Sequence, residues 1–483
     1  MRSALWVAGL SLAMGCTKEA SKDKEHVDTD SGTTADTEDT DETPLQAGSD
    51  QRIDDAGDTA TDSEKVRLCA LSSGAVVVIW VDDRNGDRAI WSRSSPDGGQ
   101  TWDDPAVQVN DGTNGADNPQ LACQGNTAYA AWEDNRDSET EDANIYVSSS
   151  TGGGAWAANT LVGGTDIGVF EHLEPQIAAV GDEVHVVWHS DDNGAFDIYV
   201  ASSTDRGSSF GDPVRVESDV PGTAWSSNAS VAADGLGRVF VAWEDRRLGV
   251  GDVFVATSTN SGVSFGGDMR LDSGVGDSYR PTIAAAAGEA WVGWYDERDG
   301  EKLEVYAAYS DNGGGSWAPA IRVSEGEPGE RDSVLPRMIL DAGTLHMVWF
   351  QGGGGGYHTE YRQLAAGAVS TDIVQLDHAP SAARTTYPAL IPSDGGWLVA
   401  WRDDRASGED DLNDLYYSVS SNNGASWSPT DLRIDAHEAG STYAIDHSVA
   451  VADGALLAAW SDGRRGDADV FFTRLVLGEE ATQ

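Results

Sequence analysis

Positive charge is scarce in this sequence. Lysine and arginine number 31 against 81 aspartates and glutamates, a formal net charge of -50 over 483 residues. Nucleic acids and anionic membranes are bound by clusters of basic side chains, so this balance argues against both as direct partners. The acid excess favours solubility and leaves room for cations, but no motif supports Ca2+, and no metal site or cofactor is expected. Cysteine is nearly absent, with 3 in all, too few for a disulfide-framed scaffold. The apolar run ALWVAGLSLAM, Ala4 to Met14, is too short to span a bilayer. HExxH, paired CxxC and P-loop signatures are missing, so none of these motifs nominates a catalytic residue. Long stretches of Ala, Leu, Glu and Lys are few, whereas 56 glycines and 17 tryptophans favour short strands and turns over helices.

The apolar run at the start reads as an export signal, with Arg2 before it and Gly15-Cys16 after it. The ending AMGC resembles the lipobox of bacterial lipoproteins, with Leu12 one place off its usual position. That resemblance implies a lipidated Cys16 and anchoring to a bacterial membrane, at the outer membrane or cell surface. Residues 1–16 are then the signal segment. Residues 17–49, with TDSGTTADTEDTDET, hold almost no large apolar side chain; such a segment cannot offset its ordering entropy and is expected to be a disordered spacer.

Residues 50–483 carry a repeat. Apolar runs ending in tryptophan recur as VVVIW at Trp80, AYAAW at Trp132, VHVVW at Trp188, VFVAW at Trp243, AWVGW at Trp294, LHMVW at Trp349, WLVAW at Trp401 and LLAAW at Trp460. Spacings of about 51 to 59 residues suit one four-stranded propeller blade per repeat. Each tryptophan ends a second strand, apolar on successive residues as expected where both faces are covered by neighbouring sheets.

Between the third and fourth strands lies a hairpin such as SPDGGQTW. Its glycine takes a backbone angle that a side chain resists, its Asp or Asn bonds turn amides, and its aromatic covers the turn. These stretches resemble the Asp-box, or BNR, repeat of sialidase-like propellers, Ser-x-Asp-x-Gly-x-x-Trp. Ser95, Asp97, Gly99 and Trp102 match it, as do Ser203, Asp205, Gly207 and Phe210. Asparagine replaces the aspartate in Ser258, Asn260, Gly262, Phe265; in Ser310, Asn312, Gly314, Trp317; and in Ser420, Asn422, Gly424, Trp427. Ser149, Thr151, Gly153 and Trp156 form a degraded copy. In that family the box is structural and lies away from the catalytic centre.

The last repeat stops after three strands. QRIDDAGD at Gln51 to Asp58 matches fourth strands elsewhere, such as LRIDAHEAG from Leu432. The expected architecture is therefore an all-β, eight-bladed propeller whose final blade is completed by an N-terminal strand. Familiar sialidases have six blades, so the resemblance covers repeat chemistry and fold type only.

Strand direction places the loops between strands two and three on the same face as the crossovers between blades. W-x-D-x-R follows the second-strand tryptophan in six blades, from Asp82 and Arg84 to Asp462 and Arg464. Such repetition points to structural ion pairs rather than a ligand-binding charge ring. Function is sought where the symmetry fails, on the crossover face. Candidate ligand-binding residues there are His172, Glu174, His189, Trp225, Asn228, Tyr279, Arg280, Arg337, Tyr387, Tyr443 and His447. They would either line a cleft or anchor loops.

A sialidase-like hydrolase would need an arginine triad, a tyrosine nucleophile with its glutamate, and an acidic proton donor. Only Tyr279-Arg280-Pro281 faintly resembles the family's arginine motif, so no catalytic residue is carried over. The sequence points first to a surface-anchored binding or adhesion module, monomeric, for a glycan, peptide or protein at the crossover face. The alternative is a secreted sialidase-like glycoside hydrolase. Cys69 and Cys123 fall on first strands of neighbouring blades; free, buried thiols are expected over a bridge, which spacing alone cannot test.

Overall fold

The computed structural model describes residues 49–477 apart from 55–61, 113–114, 139–141, 164–167, 301, 328–329, 354, 394 and 410–411. The signal segment with Cys16 and nearly all of the acidic spacer lie outside the described residues. The chain forms eight antiparallel sheets and, among the described residues, no helix. Seven sheets are built of consecutive strands, starting from Glu64–Ala70, Val76–Asp82, Ala89–Ser95 and Val107–Gln108 in blade one. Blade eight takes Ala444–Ala452, Ala455–Asp462 and Asp469–Val476 from the C-terminus and Gln51–Arg52 from the N-terminus.

That closure follows the expected register. Gln51 lies opposite Phe472 and Arg52 opposite Phe471. The Ile53 N–H donates to Val470 O at 2.8 Å, and the Val470 N–H to Asp54 Oδ2 at 2.5 Å. Ile53 itself is 1 % exposed and packs with Leu68, Val78, Leu457 and Phe472, side chains of blades one and eight. The joint covers the otherwise open edge of Asp469–Val476.

Each of eight apolar clusters spans one blade-to-blade interface, so the core is a ring rather than a ball. This is why the second strands lack alternation: both of their faces meet a neighbouring sheet. All eight second-strand tryptophans are 0 % exposed.

The repeated hairpins act as latches between blades. Ser95 Oγ accepts the Gly99 N–H at 2.7 Å, and Asp97 Oδ1 accepts those of Gln100 and Thr101 at 3.1 and 2.8 Å. The same serine-to-glycine bond recurs at 2.8 to 3.0 Å in the hairpins of Ser203, Ser258, Ser310 and Ser420. Gly99 has φ +88°, and a Cβ there would lie 2.4 Å from the Phe472 ring of the preceding blade. Glycine is required on both counts. Blade six differs: its third strand, Gly356–Ala365, turns directly into Ala368–Val369 and also pairs with Val374–Gln375.

One expectation is overturned. Cys69 and Cys123 are disulfide-bonded, with Cα atoms 6.1 Å apart. First strands of adjacent blades run side by side around the axis, which sets the two thiols within bonding reach.

Candidate functional site

The W-x-D-x-R residues are scaffold. In each of the six blades the Trp Nε1 donates to the aspartate, at 2.8 to 3.4 Å. The arginine pairs with the same carboxylate, and its guanidinium carbon stacks 3.8 to 4.3 Å from the centre of a third-strand ring. Blades three and six replace the carboxylate by other acceptors. Trp188 Nε1 donates to His172 Nδ1 at 3.1 Å, and Trp349 Nε1 to Gln351 Oε1 at 3.5 Å. A second set of pairs joins fourth-strand arginines to acids at the start of third strands: Arg215–Asp197 at 2.8 Å, Arg270–Asp252 at 2.7 Å and Arg433–Asp414 at 2.8 Å. Two acidic groups there have metal-like spacing, Asp197, Glu217, Asp219 and Asp414, Asp435, His437, but Arg215 and Arg433 already supply the positive charge within them.

The crossover-face mouth is built differently. Every first strand breaks register near its start, as between Glu64 and Arg67 or Val334 and Arg337. At the break, seven blades hold a non-glycine residue in the left-handed region: Lys65, Asn118, Glu174, Asn228, Arg280, Leu335 and Tyr387, with φ 44° to 57°. Side chains resist this conformation, and such residues gather at binding sites. The residue between Trp and Asp of the second strand braces the break. Glu133 Oε1 accepts the Asn118 side-chain amide at 2.8 Å and the Glu174 N–H of the next blade at 2.7 Å. Glu244 does the same for the Asn228 amide, at 3.2 Å, and for the Arg280 N–H. Burial pushes the Glu133 carboxyl up to about 7 and raises those of Glu244 and Glu174.

These breaks surround two openings. A small recess of about 30 Å³ brings together Glu174, Asn228 and Arg280. The larger cavity, about 830 Å³, follows the ring axis and touches all eight blades. At its crossover end stand Arg67, Arg337, Arg402, Tyr387 and His447. Arg67 is 4 % exposed; its Nη1 donates to Val66 O at 2.8 Å, while Nε has no partner. Arg337 Nη1 donates to Pro336 O at 3.2 Å. Arg402 donates to Ala444 O and Ile445 O and lies 3.8 Å over the Tyr387 ring. Burial, then the charges of Arg280 and Arg67, pulls Arg337 down to about 10. Burial, then Arg402, Arg337 and Arg67, pulls His447 down to about 3, so it is neutral. Asp446 is the carboxylate in the field of Arg67, and it accepts the Lys65 N–H at 2.9 Å.

Six sequence candidates thus line an opening: Glu174, Asn228 and Arg280 in the recess, and Arg337, Tyr387 and His447 on the axis. The other five are placed elsewhere or serve packing. His172 is buried under Trp188. His189 is buried against Phe196, ring centres 4.6 Å apart, and is pulled down to about 4 by burial and then His172. Trp225 is 52 % exposed with its ring edge-on to Phe196. Tyr279 stacks on Tyr295 and donates to Glu297 at 3.4 Å. Tyr443 covers Gly463, where a Cβ would meet its ring at 2.6 Å. Sequence reasoning missed Arg67, Arg402, Glu133, Glu244 and Tyr295. The last four share one signal: each occupies the variable place directly after a second-strand tryptophan.

No protein-family model matches this chain, and comparison with curated proteins found no match. Among solved structures, an ulvan lyase is similar at 14% identity, covering 90% of this chain and 96% of its own, with TM-score 0.45. The NanB sialidase of Streptococcus pneumoniae is similar at 11% identity over 90% of this chain and 98% of its own, TM-score 0.38. The intramolecular trans-sialidase of Ruminococcus gnavus is similar at 13% identity over 77% and 96%, TM-score 0.39.

Proposed function

We propose that this protein is an exported binding propeller, tethered through Cys16, that takes a carboxylate-bearing glycan, peptide or protein ligand at its crossover-face mouth without turning it over. The observation that carries the reading is the state of Arg67 and Arg337. The repeated arginines of the blades sit on carboxylates, whereas these two line a cavity and donate to backbone carbonyls. A buried cation with no carboxylate in contact is costly, and an anionic ligand offsets that cost with charge-assisted, bidentate bonds. Calorimetric titration with sugar acids, glucuronate and N-acetylneuraminate first, tests it: binding is expected and should weaken at least tenfold in Arg337→Ala. Equal affinity for the methyl esters would refute it.

The alternative, a sialidase-like glycoside hydrolase, draws on Tyr279, whose hydroxyl donates to Glu297 beside Arg280. Burial, then the charges of Asp277 and Glu297, pushes that phenol up to about 12, the wrong direction for an activated nucleophile. Turnover of a fluorogenic sialoside, lost in Tyr279→Phe, would favour this alternative.

A further inference from the structure

We infer that the axial cavity houses the apolar tail of an amphipathic carboxylate, a medium-chain alkyl acid, whose headgroup rests on Arg67 and Arg337. The inference deepens the reading of the mouth as a carboxylate site and rests on it.

Two features of the cavity carry it. The first is the sorting of charge along the axis. In a chain with 81 acidic residues, the ionisable groups lining the cavity stand at its ends: Arg67, Arg337, Arg402, Asp446 and His447 toward the crossover face, and Asp453 at the opposite rim beside Gly74. The second is the wall between them. One place further along each first strand than Arg67 and Arg337 the residues are aliphatic or thioether, among them Leu68, Leu121, Ile177, Ile283, Met338 and Val449, which touch the cavity and are otherwise buried in the interblade clusters behind it. Below that level Ile339, Ile391 and Val451 are half-buried and reach the cavity. The strand from Arg67 to its end at Ala70 rises about 10 Å, long enough for the extended tail of an eight-carbon acid.

A sugar acid would use the arginines and leave this shaft to water. A neutral hydrocarbon would use the shaft and leave Arg67 with, among the described residues, only Asp446 in its field and no carboxylate in contact. A carboxylate with an alkyl tail satisfies both ends. Each first strand is hydrogen-bonded on one side only, so its free backbone edge keeps water near the wall. The gain per methylene is therefore expected at about twofold to fourfold in affinity, up to the full transfer value.

The test is calorimetric titration of the full chain with butanoate, hexanoate, octanoate and decanoate, alongside methyl octanoate. The dissociation constant should fall at least tenfold from butanoate to octanoate, and the ester should bind at least tenfold more weakly than the acid. In Arg67→Gln the acid-over-ester preference should shrink; in Ile391→Asp, checked for an unchanged near-UV spectrum, the chain-length gain should disappear. A flat chain-length series in the unaltered protein overturns the inference, whatever the variants do. If sugar acids bind while that series stays flat, the mouth reading stands and only the tail assignment falls. If no carboxylate binds, both fall.

Discussion

Arg67 and Arg337 reach one cavity from blades one and six, and the charge on Arg67 lowers the pKa of Arg337. On the proposed reading, two cations that share a cavity serve binding at the expense of folding. Arg67→Met should therefore raise stability by about 1 to 3 kcal/mol, because a buried charge lacking a close carboxylate is replaced by an apolar side chain of similar length. Urea unfolding reads the gain, and titration with a sugar acid should show the matching loss of affinity. A destabilised variant would mean that Arg67 is a structural group.

The aspartates of W-x-D-x-R should behave in the opposite sense. Asp245 is fully buried and accepts from Trp243 Nε1 at 3.0 Å, from the Arg247 N–H at 2.7 Å and from Arg247 Nε at 2.8 Å. Asp245→Ala removes the acceptor of these three donors and of the Ser226 hydroxyl and Arg247 Nη2, and should cost about 3 to 5 kcal/mol. Affinity at the mouth, measured below the unfolding transition, should stay within twofold.

Ring closure rests on a short segment. Ile53→Ala removes a side chain shared by blades one and eight and should cost about 2 to 4 kcal/mol. Deleting residues 1–54 should do more, giving a protein that associates through the open edge of Asp469–Val476, visible by light scattering.

The disulfide closes a loop of 54 residues. Its loss in Cys69→Ser should lower stability by up to about 4 kcal/mol on loop-closure grounds. Thermal unfolding with and without reductant should differ for the unaltered chain and coincide for the variant.

Acidity should favour the folded state more than an excess of carboxylates first suggests. Burial pushes Glu133 up to about 7; burial and then Asp377 push Glu360 up to about 7; burial and then Asp54 push Asp469 up to about 6. Folded values above unfolded ones, about 4 for these groups, mean that their contribution is fully present below about pH 4 and is lost as pH rises through 6 to 7. Groups held low, such as Asp117 and Asp435, act in the reverse direction below about pH 4. The thermal midpoint should peak near pH 5 and decline toward pH 8. Glu133→Gln should flatten that decline, and an unchanged slope would show that Glu133 is not responsible.

The ring was legible in the sequence because it is written eight times. Each second-strand tryptophan and each serine-to-glycine hairpin meets nearly the same neighbours in every copy, so the pattern survives noise. The mouth is written once per blade in different letters. Looking ahead of the first strands reached Glu174, Asn228, Arg280, Arg337, Tyr387 and His447. Arg402 and Glu133 escaped because they sit inside a motif whose other members are structural, and Arg67 because a single arginine in EKVRLCA resembles any half-exposed strand position. The cysteine pairing escaped because, although the repeats place both residues on neighbouring first strands, the 6.1 Å approach of their Cα atoms depends on how those strands are offset, which spacing does not encode.

On the proposed reading, the left-handed breaks separate recognition from folding. Of the residues at these breaks, Leu335 and Tyr387 pack into the cluster between blades five and six. The hairpin latches and the tryptophan-bound aspartates lie off the axis, so residues 65, 118, 174, 228 and 280 can be exchanged without touching them. A combinatorial library confined to those places, with glycine or asparagine admitted for the backbone angle, should yield folded proteins of altered selectivity. By the same route a lineage could acquire new ligands while its architecture stays fixed.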